Sequence, residues 1–190
     1  WPIGKLPSTD GDKAFSELMA SGLKAVRDAD PDHSIKLMVH LPDGGDNAFY
    51  QSFFNSLIKD HGVNDFDIIG LSYYPFWHGT LDMLTDNMND IAERYGKDLI
   101  VAEVSMGYTM EDYKDYEKLS DEERKGYATK QELVEKIEYP MTVQGQYDFM
   151  EDFLNFTCTQ LFLQYHLQQL QEKAHKTQLL HLSKAMQEFV

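Results

Sequence analysis

The chain has 190 residues and 42% hydrophobic content, enough to bury a core, which excludes a fibrous or disordered class. Its 32 acidic against 17 basic residues give a formal net charge of -15, so there is no electrostatic footprint for nucleic acid or an anionic membrane surface. Cys158 is the single cysteine, which rules out an intrachain disulfide framework and a thiolate zinc cluster.

Trp1-Pro2-Ile3-Gly4-Lys5 is not a signal peptide and does not read as a natural start. No later run approaches the roughly 18 apolar residues of a membrane span. From Ala14 to Asp28 the residues Phe15, Leu18, Met19, Leu23 and Val26 recur with a helical period, before the Asp30-Pro31 break. A strand is predicted over 35–40, ending on His40 ahead of Leu-Pro-Asp-Gly-Gly. Ala48 to His61 is predicted helical, with Phe49, Phe53, Phe54, Leu57 and Ile58 on one stripe and Gly62 as its stop. A second strand over 68–73 runs into Tyr74-Pro75-Phe76-Trp77-His78-Gly79. Leu81 to Tyr95 is helical, stopped by Gly96, and a third strand over 99–103 ends on Glu103.

Helix and strand alternate three times, and the strands are apolar runs. That pattern predicts a parallel sheet covered on both faces. A barrel fits better than a doubly wound sheet because no glycine-rich phosphate loop follows any strand. In such barrels the chemistry sits at the C-terminal ends of the strands, which is where His40, Tyr74 and Glu103 fall. His40 admits two readings: a satisfied core histidine, or a contact to a substrate hydroxyl or to Glu103. Period-two counting puts Ser72 and Tyr74 on one face, making Tyr74 the predicted hydrogen-bond donor to Glu103, with Tyr73 as runner-up. Trp77 and His78 suit a sugar face at a barrel mouth, Ser72 and Tyr73 at the end of the same strand are further expected substrate contacts, and Trp1 could play a similar part.

The segments Leu37-Met38-Val39-His40-Leu41, Asp65-Phe66-Asp67-Ile68-Ile69-Gly70-Leu71-Ser72-Tyr73-Tyr74-Pro75-Phe76-Trp77-His78-Gly79-Thr80-Leu81 and Ile100-Val101-Ala102-Glu103-Val104-Ser105-Met106-Gly107-Tyr108-Thr109 together resemble the bacterial arabinogalactan endo-β-1,4-galactanases, glycoside hydrolase family 53. The likeness runs from Trp1 to about Phe153 and includes Tyr139-Pro140-Met141-Thr142-Val143-Gln144-Gly145-Gln146. It implies strands five to seven, with their flanking helices, of a (β/α)8 TIM barrel over residues 1–154. It also implies a retaining mechanism on β-1,4-galactan or arabinogalactan, with Glu103 matching the nucleophile at the end of strand seven. Retention requires a second carboxyl about 5–5.5 Å from the first. In the family that acid/base lies in an Asn-Glu pair shortly before a Trp-Pro segment like Trp1-Pro2, so it is expected to be missing here. The alternative is a noncatalytic galactan-binding remnant.

The resemblance further implies an extracellular, secreted parent that is a monomer when complete and needs no cofactor. Bacterial members can carry calcium in loops after strands seven and eight, but the matching Glu111-Asp112-Tyr113-Lys114-Asp115 stretch lacks converging oxygens and turn glycines, and no metal ligands are assigned. Residues 155–190 resemble nothing in the family. Their Gln-, Leu- and His-rich sequence predicts an atypical helical tail, either a fusion or frame-shifted segment or an interaction helix. His166, His175 and His181 there lack the i, i+4 spacing that would set two ligands on one helical face.

Overall fold

The computed structural model describes residues 11–111, 118, 120 and 131–157. The chain divides into two compact units, Trp1–Met150 and Glu151–Val190. In the first, the order is helix α1 (Gly11–Ala29), strand β1 (Met38–Leu41), helix α2 (Asn47–Phe54), strand β2 (Ile68–Tyr73), helix α3 (Leu81–Tyr95), strand β3 (Asp98–Val104) and a short helix α4 (Gln131–Val134). A further helical segment, α5, covers residues 143–150. In the second unit, residues 151–157 are helical, and the Thr157 hydroxyl donates to the Phe153 carbonyl.

The strands form one parallel sheet in the order β1-β2-β3, with α2 and α3 as the crossover connections. One face carries Val39, Leu41, Ile69, Leu71, Tyr73 and Leu99, all buried. The helices present Tyr50, Phe54, Leu57, Leu84, Met88 and Ile91, which are also buried and make up the rest of the core. The Tyr50 hydroxyl would be costly there unpaired, and it donates to the Leu41 carbonyl at 2.9 Å. On the opposite face Met38, His40, Ile100 and Glu103 are exposed while Gly70 and Ser72 between them are buried, so among the described residues this face is not covered as the sequence pattern predicts.

Helix boundaries follow from local chemistry. Asp46 caps α2 by accepting from the Phe49 N–H, and Thr80 caps α3 by accepting from Met83. α2 continues through a π-helical stretch, Asn55–Asp60, and reverses at Gly62, whose φ of 71° suits a glycine. Gly96 ends α3 in the same left-handed conformation, φ 62°.

The first strand departs from expectation. It spans Met38–Leu41 rather than 35–40, because two carboxylates take the amides upstream. Asp30 accepts from the Ile35 N–H at 2.7 Å, and Asp67 accepts from the Leu37 N–H at 2.8 Å. These bonds fasten 35–37 to the bottom of the sheet instead of extending its ladder. The same Asp67 binds Arg27 of α1 at 2.8 Å, and the guanidinium holds its carboxyl down to about 2.

β3 contains one residue too many. Leu71 pairs with Val101 but Ser72 pairs with Glu103, leaving Ala102 as a bulge. Strict alternation from Leu99 and Val101 would send Glu103 toward the helices. The extra residue turns it to the open face and returns Val104 to register with Tyr73.

Candidate functional site

The open face at the C-terminal ends of the strands gathers four of the residues singled out from the sequence. β1 supplies His40, β2 supplies Ser72, the loop after β2 supplies Tyr74, and β3 supplies Glu103 by way of its bulge. The Tyr74 hydroxyl donates to Glu103 Oε2 at 2.8 Å. This bond is the main cause that holds the Glu103 carboxyl below its ordinary range, and the hydroxyl of its register partner Ser72 acts in the same direction. Nearby His40 and His78 add a weaker favourable field. The same bond pushes the Tyr74 phenol upward, so near neutrality the phenol remains a donor. His40 Nε2 lies 2.8 Å from Ser72 Oγ. An ionised, oriented carboxylate of this kind can attack an electrophilic carbon or accept a proton, but it is poorly suited to donating one.

The loop after β2 turns back at Tyr74, whose carbonyl accepts from the Trp77 and His78 amides at 3.0 and 2.9 Å. Trp77 is 45% exposed and packs edge-on against Tyr74, with ring centroids 6.0 Å apart. It therefore presents an aromatic surface beside Glu103's hydrogen-bond partner.

His78 does not share that role. Its side chain is only 8% exposed, with Nε2 3.3 Å from Asp43 Oδ1. Its Nδ1 lies 3.1 Å from the Tyr74 N–H and 3.0 Å from the Ser72 carbonyl. With Nε2–H directed at Asp43, the Nδ1 lone pair accepts from Tyr74, and the Ser72 carbonyl is served instead by the Gly44 N–H at 2.9 Å. Asp43, at φ 56°, brings its carboxylate to the imidazole. His78 thus corrects the expectation of a sugar contact: it is a buried clasp that fixes the turn carrying Tyr74 and Trp77.

Two neighbours also depart from expectation. Tyr73 is 1% exposed, stacks on Phe149, and donates to the Gly79 carbonyl at 2.9 Å. It is a core residue, on the opposite face from Glu103, because side chains alternate along β2. Ser72 is buried, and the structure places it between His40 and Glu103 rather than at a substrate surface. Trp1 lies outside the described residues, as do Asp112, Asp115 and the tail histidines His166, His175 and His181. Among the described residues, no three His, Cys, Asp or Glu side chains converge as a metal site.

Sequence reasoning missed the support beneath the site. Asn87, fully buried on α3, donates to the Gly44 carbonyl at 2.7 Å and accepts from Asn47 at 3.1 Å. Gly44 and Gly45 allow the close approach, since a Cβ on Gly44 would meet the Ser72 carbonyl at 2.7 Å and one on Gly45 would meet the His78 carbonyl at 2.0 Å. The available signal was an asparagine within the apolar stripe of α3 and a Gly-Gly pair after β1.

Residues 1–160 match the family described as glycosyl hydrolase family 53. An uncharacterized protein of the bgaB 5′ region of Niallia circulans is 39% identical over 159 residues, covering 81% of this chain and 40% of that protein. The endo-beta-1,4-galactanase of Bacillus subtilis is 33% identical over 139 residues, covering 73% of this chain and 29% of the relative. Among solved structures, the Ignisphaera aggregans GH53 catalytic domain superposes with a TM-score of 0.65 at 30% identity, over 80% of this chain and 39% of its own length. A fungal beta-1,4-galactanase structure at 22% identity, with a TM-score of 0.59, shares the fold over 84% of this chain and 44% of its own. The chain therefore spans about two-fifths of these solved structures, and its three-stranded parallel sheet with flanking helices is part of a TIM barrel.

Proposed function

The chain belongs to glycosyl hydrolase family 53, and from that premise we propose that it carries the nucleophile side of a retaining endo-β-1,4-galactanase site. The observation that supports this reading best is the 2.8 Å bond from Tyr74 to Glu103 at the C-terminal ends of parallel strands. A phenol that donates to a carboxylate keeps it ionised and fixes the direction of its lone pairs, which is what attack on an anomeric carbon requires. Glu103 displaces the leaving oxygen of a β-1,4-linked galactosyl unit and forms a covalent galactosyl-enzyme, which water then hydrolyses. The leaving oxygen takes its proton from a second carboxyl on a strand of the family barrel outside these residues. Trp77 supplies an apolar platform for a sugar ring beside the reacting centre. The substrate is galactan or arabinogalactan, and as that polymer lies outside the cell, the parent enzyme is secreted. The parent acts as a monomer without a cofactor.

A dinitrophenyl β-galactobioside tests the nucleophile directly, because its leaving group departs without acid assistance. One equivalent of dinitrophenol, released in a burst by the 190-residue chain and lost in Glu103→Gln, is the expected result. No burst, or a burst that survives the substitution, would overturn the assignment. Galactan binding without a burst would favour a noncatalytic binding role, with Trp77 as its platform.

A further inference from the structure

The side-chain bonds on the open face pose a counting problem. Ser72 has a single hydroxyl proton and two polar neighbours on its side of the sheet. One is His40 Nε2 at 2.8 Å, and the other is Glu103, directly opposite it across the β2–β3 register. An ionised carboxylate only accepts. The hydroxyl can therefore serve both neighbours in one way: it gives its proton to Glu103 and takes one from His40. If the proton pointed at His40 instead, the carboxylate would face an oxygen lone pair across the strand pair.

We infer that His40 is a positioning residue that acts on Glu103 through Ser72, and that it does so with its ring protonated on Nε2. In the neutral ring, Nδ1 is then unprotonated, and because His40 is an exposed residue it can offer an acceptor to a hydroxyl of the substrate. A sugar hydroxyl placed there would donate to His40, and the chain of donors would run from substrate through His40 and Ser72 to the carboxylate. The other titratable groups facing Glu103 are Tyr74 and His78, both from the loop after β2. Tyr74 donates its own proton to Glu103 Oε2 and His78 is turned toward Asp43, so neither takes the Ser72 proton.

The catalytic meaning of this chain rests on the proposed role of Glu103, but the proton's location can be read without substrate, so the two ideas fail separately. Long-range proton–nitrogen correlation spectra of the uniformly labelled 190-residue chain, recorded with the imidazole neutral, report which ring nitrogen carries the proton. The His40 signals are assigned by their loss in His40→Gln. A protonated Nε2 is expected. A ring protonated on Nδ1 would overturn the inference, because Ser72 would then be donating to His40. Carboxyl-carbon titration gives a second reading. Ser72→Ala should move the Glu103 midpoint upward and Ser72→Thr, which keeps the hydroxyl, should leave it low. An unmoved midpoint in Ser72→Ala would also overturn the relay, and the wild-type tautomer decides the question even if that variant fails to fold.

Discussion

Asn87 offers the sharpest test of how the site is supported. It lies wholly inside the fold and ties the Gly44–Gly45 loop to α3, while the Gly44 N–H bonds the Ser72 carbonyl at the end of β2. In Asn87→Ala the Gly44 carbonyl loses its donor, and leaving a buried acceptor unpaired costs about 1–3 kcal/mol. The carboxamide also leaves a small void, adding on the order of 1 kcal/mol where the surroundings relax only in part. The sum is a loss of about 2–4 kcal/mol, large against the stability of a small fold. Urea unfolding followed by far-ultraviolet circular dichroism should show a lower midpoint with an unchanged slope. Asn87→Asp, which keeps the shape but aims an oxygen at the carbonyl, should be at least as damaging. A change under about 0.5 kcal/mol in Asn87→Ala would refute the clamp, since that is the scatter of ordinary surface substitutions.

Other consequences can be checked separately. Tyr74→Phe removes the largest influence lowering the Glu103 pKa, so its carboxyl-carbon midpoint should rise toward the ordinary glutamate value; an unchanged midpoint would dismiss the hydrogen bond. Asp67 is held at about 2 in the folded chain, chiefly by its bond to Arg27. A depressed carboxyl stabilises fully above its unfolded pKa, near 4, and that contribution is lost as pH falls toward about 2. Asp67→Asn should therefore flatten the acid limb of a stability–pH profile in that window while lowering stability at neutral pH. Gly45→Ala would set a Cβ 2.0 Å from the His78 carbonyl, so a cooperative transition at the wild-type midpoint would show that the approach is looser than described.

The strands were readable because a parallel strand covered by helices is a short apolar run, and each one ended in a chemically distinctive residue. His40, Tyr74 and Glu103 could be placed together on that ground alone, and period two correctly put Ser72 with Tyr74. The same counting fails at Glu103, whose facing depends on a bulge that no feature of Val101-Ala102-Glu103 announces. His78 misled for a different reason: beside an exposed Trp it looks like part of an aromatic platform. Its partner Asp43 lies 35 residues earlier in another loop, and only the folded chain brings the two together. The early start assigned to the first strand has a similar origin, since Asp67 is distant in sequence from the Leu37 amide it captures.

The bulge at Ala102 also bears on how this strand can change length. A one-residue deletion inside a regular strand reverses the facing of everything after it, which would bury Glu103 or expose Val104. Ala102 is the position where such a loss does no harm of that kind. Without it the ladder closes with Glu103 still opposite Ser72 and Val104 still opposite Tyr73. Natural variation by single-residue deletion should therefore be tolerated here and purged from the rest of β3.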